Sequence, residues 1–234
     1  WLRDKRNDKL VLQRRLEAIG GKVTHRHDGG LLMTAELTGA QLLEAAQFDE
    51  VLWIDRWSAP EEDMNNARTV QGTAWLESNY GYTGTGIRGH VYEGVEATHQ
   101  DFTPALVNVR SGGQAQSHGH CTAGIIFGEG ISHANARGHA RGALGYYTNY
   151  STVTAGWSRN QVIGDVVNVH NCMFTTASWG GARTTAYTSI SADADDIVFD
   201  RRIPWTQSQS NAGTTMSRPE AWAKNVISIG GMYH

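Results

Sequence analysis

Apolar positions in the first quarter of the chain recur with two different periods. Leu12, Leu16 and Ile19 share one face of a helix that Asp8 can cap and Gly20-Gly21 can end. Residues 22–26 and 31–37 fit strands, joined by a Gly29-Gly30 turn. Thr38-Gly-Ala-Gln41 is a capping-box string ahead of a second helix carrying Leu42, Ala45 and Ala46, and residues 51–54 fit a third strand. After position 68 the pattern changes to short apolar runs between helical ones. A helix over 70–78 leads through Gly84-Thr-Gly86 into a strand over 87–92. A helix is expected over 122–127, a β-rich stretch over 162–169, a helix over 191–199, and short buried strands at 203–206 and 226–229. Short apolar strands alternating with helices imply an α/β fold whose parallel sheet is covered on both faces.

Composition sharpens the boundary. Of the 43 charged residues, 22 fall in the first 68 positions, whereas only 5 of the 27 glycines do. This divides the chain into a small α+β domain (1–62), a polar linker (63–69) and a larger α/β domain (70–234). The net charge of −3 argues against nucleic acid as a partner. No apolar run approaches the roughly 20 residues of a membrane span. Two cysteines, Cys121 and Cys172, are too few for a disulfide scaffold or a four-Cys zinc site, although they leave one disulfide open. The chain begins at Trp1, not Met, and stops just after an apolar run, so it is expected to be part of a longer product.

Several strings carry candidate chemistry. Gly84-x-Gly86-x-x-Gly89 has dinucleotide-fingerprint spacing, but it precedes a strand where that motif must follow one. His118 and His120, two apart, would point to the same side of a strand and could begin a metal site with a carboxylate. More informative is a set of segments in order. A strand ends in Glu93-Gly94 and is followed by His99-Gln-Asp-Phe102. A polar loop, His118-Gly-His-Cys-Thr-Ala-Gly124, opens an apolar helix. Then come Ser178-Trp-Gly180, Gln209-Ser-Asn211 and Asn225-Val-Ile-Ser-Ile-Gly230. Acid, then His, then a small-residue edge, then Asn suits a charge-relay site: the acid orients the imidazole, the imidazole deprotonates a nucleophile, and the amide holds the oxyanion.

In this order and spacing the segments resemble the subtilisin-like serine proteases, the subtilases, over about residues 70–234. The first 60 or so residues resemble a subtilase propeptide. The resemblance implies a subtilisin-like parallel sheet, here incomplete, and a serine-type endopeptidase or acyl hydrolase. It makes Glu93 the acid, His118 the base and Asn211 the oxyanion donor, with Ser178, Trp179 and Gly180 as the substrate-binding edge. It also implies peptide or ester substrates, an extracellular location and room for structural calcium, with no other cofactor evident.

Two departures stand out. The acid is Glu rather than Asp, and a gapless match from His99 would place Tyr92 there instead. The family's Gly-Thr-Ser-Met-Ala-x-Pro serine segment has only Gly213-Thr-Thr-Met-Ser-Arg-Pro219 as a counterpart, two residues after Asn211. Thr215, Ser217 and Ser178 are therefore weak nucleophile candidates, and the serine is expected in a missing C-terminal part that would also complete the sheet. The alternatives are a truncated protease-like protein with peptide binding or residual esterase activity, and a metal-dependent hydrolase using His118 and His120.

Overall fold

The computed structural model describes residues 8–26, 33–54, 64–110, 115–153 and 157–231. It divides into two compact units, residues 1–61 and 62–234. The expected Gly29-Gly30 turn and the Pro60-Glu-Glu-Asp63 string lie outside the described residues.

In the first unit, helix α1 (Asp8–Ala18) is followed by strands β1 (Lys22–His25) and β2 (Thr34–Glu36), paired antiparallel, and by helix α2 (Gly39–Ala45). The Thr38–Gln41 capping box forms, satisfying two N–H groups that the helix start would otherwise orphan. Gly20, at φ +81°, supplies the left-handed residue that ends α1. Leu12, Leu16, Ala45 and Phe48 make a small core. Residues 51–54 do not form the expected strand: Val51 makes an isolated bridge, and residues 52–54 are irregular. Leu52 and Trp53 stand exposed there.

The second unit opens with helices α3 (Met64–Val70) and α4 (Thr73–Tyr80). α3 occupies most of the expected linker. Gly72, at φ +79°, breaks what the sequence suggested was one helix. Strands β3 (Arg88–Val91), β4 (Val107–Arg110), β5 (Leu144–Thr148), β6 (Phe174–Ala177), β7 (Trp205–Ser208) and β8 (Ile227–Ile229) form a single sheet in the order β4-β5-β3-β6-β7-β8. Every pairing is parallel. Helices α5 (Ser117–Phe127), α6 (Arg159–Asn168) and α7 (Ser189–Arg201) cover it.

Alternation along β3 sends successive side chains to opposite faces. Val91 joins a core with Ala123 and Phe127 of α5. Tyr92 joins the other core, with Val162, Ile163 and Val166 of α6 and Ala194 and Ile197 of α7. The sheet is thus covered on both faces, as the alternating pattern implied.

Two local readings are corrected. Residues 162–169 looked β-rich because of their valines, yet residues 159–168 are helical. Ser158 and Gln161 form a capping box ahead of the run, and Val162, Ile163 and Val166 fall on one buried helical face. Burial of that face, about 1.5–3 kcal/mol per fully buried aliphatic side chain, overrides β-propensity. α5 begins at Ser117 rather than 122, so the string around His118 is a helical first turn and not a loop. Both cysteines are free: Cys121 is exposed on α5, and burial pushes the Cys172 thiol up to about 12. Among the described residues no helix is long and apolar enough to cross a membrane.

Candidate active site

β3 is flanked by β5 and β6, although the chain reaches β5 only after visiting β4 at the sheet edge. The direction of strand progression therefore reverses at β3. In open α/β sheets such a reversal opens a crevice at the strands' carboxyl ends. Glu93 lies two residues past β3, and Ser178 directly follows β6.

Glu93 is fully buried, and both of its oxygens are engaged. Oε1 accepts a 2.8 Å hydrogen bond from the Ser178 backbone N–H. Oε2 lies 3.3 Å from Nδ1 of His118. Burial raises the Glu93 carboxyl above its ordinary range, opposed by the Ser178 N–H and by His118. A carboxylate accepts, so the imidazole proton in this pair sits on Nδ1 and leaves Nε2 as the basic nitrogen. The His118 side chain is 56 % exposed, so that nitrogen is reachable from solvent.

Of the two candidate acids, Glu93 is the one whose side chain lies against His118. Tyr92 is wholly buried in the core, with its N–H on the Thr176 carbonyl, and cannot meet His118 as an acid. α5 approaches the strand end closely at Gly119. A Cβ at Gly119 would collide with the Gly94 carbonyl oxygen and come within 2.7 Å of the Glu93 Cβ. Glycine at 119 is what lets the helix start sit there.

The metal reading of His118 and His120 assumed a strand. On a helix, residues two apart point about 200° apart, so the imidazoles diverge. His120 packs edge-on against His99 (4.8 Å between centroids) and Phe102 (5.3 Å) instead. Among the described residues no three His, Cys, Asp or Glu side chains converge on a point.

The Ser178-Trp179-Gly180 edge is held from behind. Trp179 donates from Nε1 to the Tyr92 carbonyl (2.5 Å) and accepts at its own carbonyl from Gln207 Nε2 (2.6 Å). Gly181 N–H donates to the buried Glu220 carboxylate at 3.0 Å, and Arg218 donates to the Gly181 carbonyl at 2.9 Å. Glu220 in turn pairs with Arg159, whose guanidinium lies 4.7 Å from the Trp179 ring. The sequence offered no signal for Glu220, since a carboxylate beside a proline is ordinary until its burial is known.

Asn211 is exposed in the segment after β7, a strand that lies two places from β3 in the sheet. Ser217 is buried: its hydroxyl donates to the Gln209 carbonyl and its backbone pairs with Thr184. Thr215 is exposed in the same segment. None of Asn211, Thr215 or Ser217 is bonded to His118 among the described residues.

No family model and no curated protein matches this sequence. Solved structures do. The prenylagaramide maturation protease PagA superposes with a TM-score of 0.55 at 22% identity, over 69% of this chain and 59% of its own. The protease domain of PatA superposes at 0.51 and 20% identity, over 66% and 61%. The chain spans about three fifths of the length of these two structures. A parallel sheet that reverses direction at β3, with helices on both faces and these superpositions, gives this chain a subtilisin-like protease fold.

Proposed function

We propose that this chain supplies the acid, base and oxyanion groups of a subtilisin-like serine-type acyl hydrolase acting on peptides or esters. The observation that carries the reading is the buried Glu93 carboxylate facing Nδ1 of a solvent-accessible His118 at the switch point of the sheet. In this mechanism His118 Nε2 takes the proton of an attacking serine hydroxyl and returns it to the leaving group, while Glu93 holds the imidazole in the right tautomer. Asn211 donates its amide to the oxyanion as charge develops there. Residues 178–180 bind the substrate backbone as an added strand, stiffened by the Trp179 and Glu220 contacts behind them. This reading draws the serine from sequence outside these 234 residues: the Ser217 hydroxyl is bonded to the Gln209 carbonyl, and neither Ser178 nor Thr215 is bonded to His118 among the described residues. An extracellular location follows from the same resemblance.

The exposed imidazole also favours a second reading for the chain by itself: weak hydrolysis of activated esters without a serine, since residual catalysis survives loss of one triad member. One experiment addresses both. The 234-residue chain is treated with a fluorophosphonate probe, mapped by mass spectrometry, and assayed with an activated aryl ester. We expect no label on Ser178, Thr215 or Ser217, and ester turnover that falls about a hundredfold in His118→Ala, the low end for a lost general base. A labelled residue in this chain overturns the external-serine reading. Unchanged turnover in His118→Ala removes His118 from the chemistry.

A further inference from the structure

α5 carries His118 in its first turn, yet its start breaks a local rule. Ser, Thr, Asp or Asn normally caps a helix with its side chain. Here the cap is Gln116, in extended conformation (φ −127°, ψ 138°), and its side chain makes no capping bond. The other capped helices of this unit, α6 and α7, use Ser158 and Thr188 in full capping boxes. Local preferences given up in an otherwise consistent chain concentrate at functional sites.

The Gln116 side chain is used elsewhere. Its Oε1 accepts a hydrogen bond from the Tyr150 hydroxyl, just past β5. Its backbone N–H donates to the Gly94 carbonyl (3.1 Å), next to Glu93, and its carbonyl accepts from His120 N–H (2.9 Å). The Tyr150 ring lies 5.0 Å from Trp179, and Trp179 adjoins Ser178, whose N–H holds the other oxygen of Glu93. With the chain links from Gln116 to His118 and from Ser178 to Trp179, these contacts close a ring: Glu93, His118, Gln116, Tyr150, Trp179, Ser178 and back to Glu93. Beyond the close backbone approach at Gly119, these contacts tie the first turn of α5 through side chains to the ends of the neighbouring strands.

We propose that Tyr150 and Gln116 are positioning residues, a clasp that holds the first turn of α5, and with it the His118 imidazole, against Glu93. The proposal deepens the hydrolase reading and rests on its Glu93–His118 pair. The clasp acts through helix position and touches no reacting atom. It gives up cap strength in exchange for registry, because a Ser at 116 would stabilise the helix start but could not reach Tyr150.

The test reads the imidazole rather than activity. Nitrogen-15 NMR of the full chain, with His118 assigned by loss of its signals in His118→Gln, reports which ring nitrogen carries the proton and whether the Nδ1–H proton resonates downfield in a hydrogen bond. We expect the Nδ1–H tautomer in the parent chain and loss of the downfield resonance in Glu93→Gln. Tyr150→Phe, which keeps the ring contact with Trp179, and Gln116→Ser should each lose the same resonance. Gln116→Ser should do so without lowering Tm. A resonance kept in Tyr150→Phe or in Gln116→Ser overturns the clasp and leaves the pair standing. A parent chain without the Nδ1–H tautomer, or a Glu93→Gln variant that keeps the downfield resonance, overturns the pair itself.

Discussion

The centre and the edge of the large sheet are built differently. At the centre, β3 lies between β5 and β6, and its polar groups are matched one for one. His90 is wholly buried, with Nδ1 2.8 Å from the Thr175 hydroxyl and Nε2 3.0 Å from that of Thr148. Three residues on, Glu93 has both oxygens engaged. At the edge, Ile227 and Ile229 of β8 are 51% and 48% exposed, Ser228 Oγ is buried without a partner among the described residues, and Asn211 stands exposed beyond β7. Glu93, proposed as the acid, therefore belongs to the densely hydrogen-bonded centre of the sheet, and Asn211, proposed for the oxyanion, to an exposed segment beyond β7. Orientation of an imidazole tolerates little play. An amide on a surface segment can be brought to its place by whatever packs there.

The hardest blow to the centre is Gly119→Ala. The added methyl meets backbone, which cannot swing aside, so overpacking should cost about 3 kcal/mol. For a unit of this size that is a Tm loss of roughly 6–12 °C. A drop of under about 2 °C in a thermal melt would mean that α5 is not pinned to the strand end.

His90 gives the next effect. Burial, with His170 adding to it, lowers its imidazole to about 3, far below the ordinary 6.5. The unfolded chain then takes up a proton that the folded chain refuses. Stability from this group is complete above about 6.5 and is lost as pH falls towards 3, with a slope of up to about 1.4 kcal/mol per pH unit. Urea melts between pH 7 and 4 should show that slope flattened in His90→Gln. An unchanged slope would assign the acid sensitivity to other groups.

Glu93→Gln should separate stability from orientation. Burial raises the folded-state carboxyl, so the folded chain binds this proton more tightly than the unfolded chain does. That contribution is present below the unfolded pKa and is lost as pH rises through the folded value, which leaves a charged Glu93 costly at neutral pH. Gln removes the charge and can still accept from Ser178. The variant should melt at or above the parent at pH 7, with the difference closing in acid. A clear destabilisation at pH 7 would make Glu93 a structural ion pair first.

Asn211→Ala is the smallest change in stability. An exposed side chain with no bond to His118 should cost less than about 0.5 kcal/mol by denaturant titration. A larger loss would place Asn211 in the fold's framework rather than at its margin.

Much of this was legible in residue strings. The capping box at Thr38, the α/β alternation after position 68 and the Glu93, His118 and Asn211 segments are local patterns, and local patterns survive in a sequence. The misreadings were of another kind. Residues 51–54 and 162–169 have strand-like composition, but the first forms no strand beyond a bridge at Val51 and the second presents a helical buried face. The polar opening of α5 concealed a helical turn because its cap is a glutamine that reaches sideways to Tyr150.

By itself, then, the sequence determined the class of sheet, the candidate acid–base pair with one rival for the acid, and the chain order of the site. Only the tertiary structure chose Glu93 over Tyr92, turned His120 away from His118 and joined Gln116 to Tyr150. The reason is geometric. Strings record which groups exist and in what order, whereas contact between residues 25 or 34 positions apart depends on how closely a helix start approaches a strand end. Here that distance is set by a missing Cβ at Gly119 and by the tyrosine at position 150.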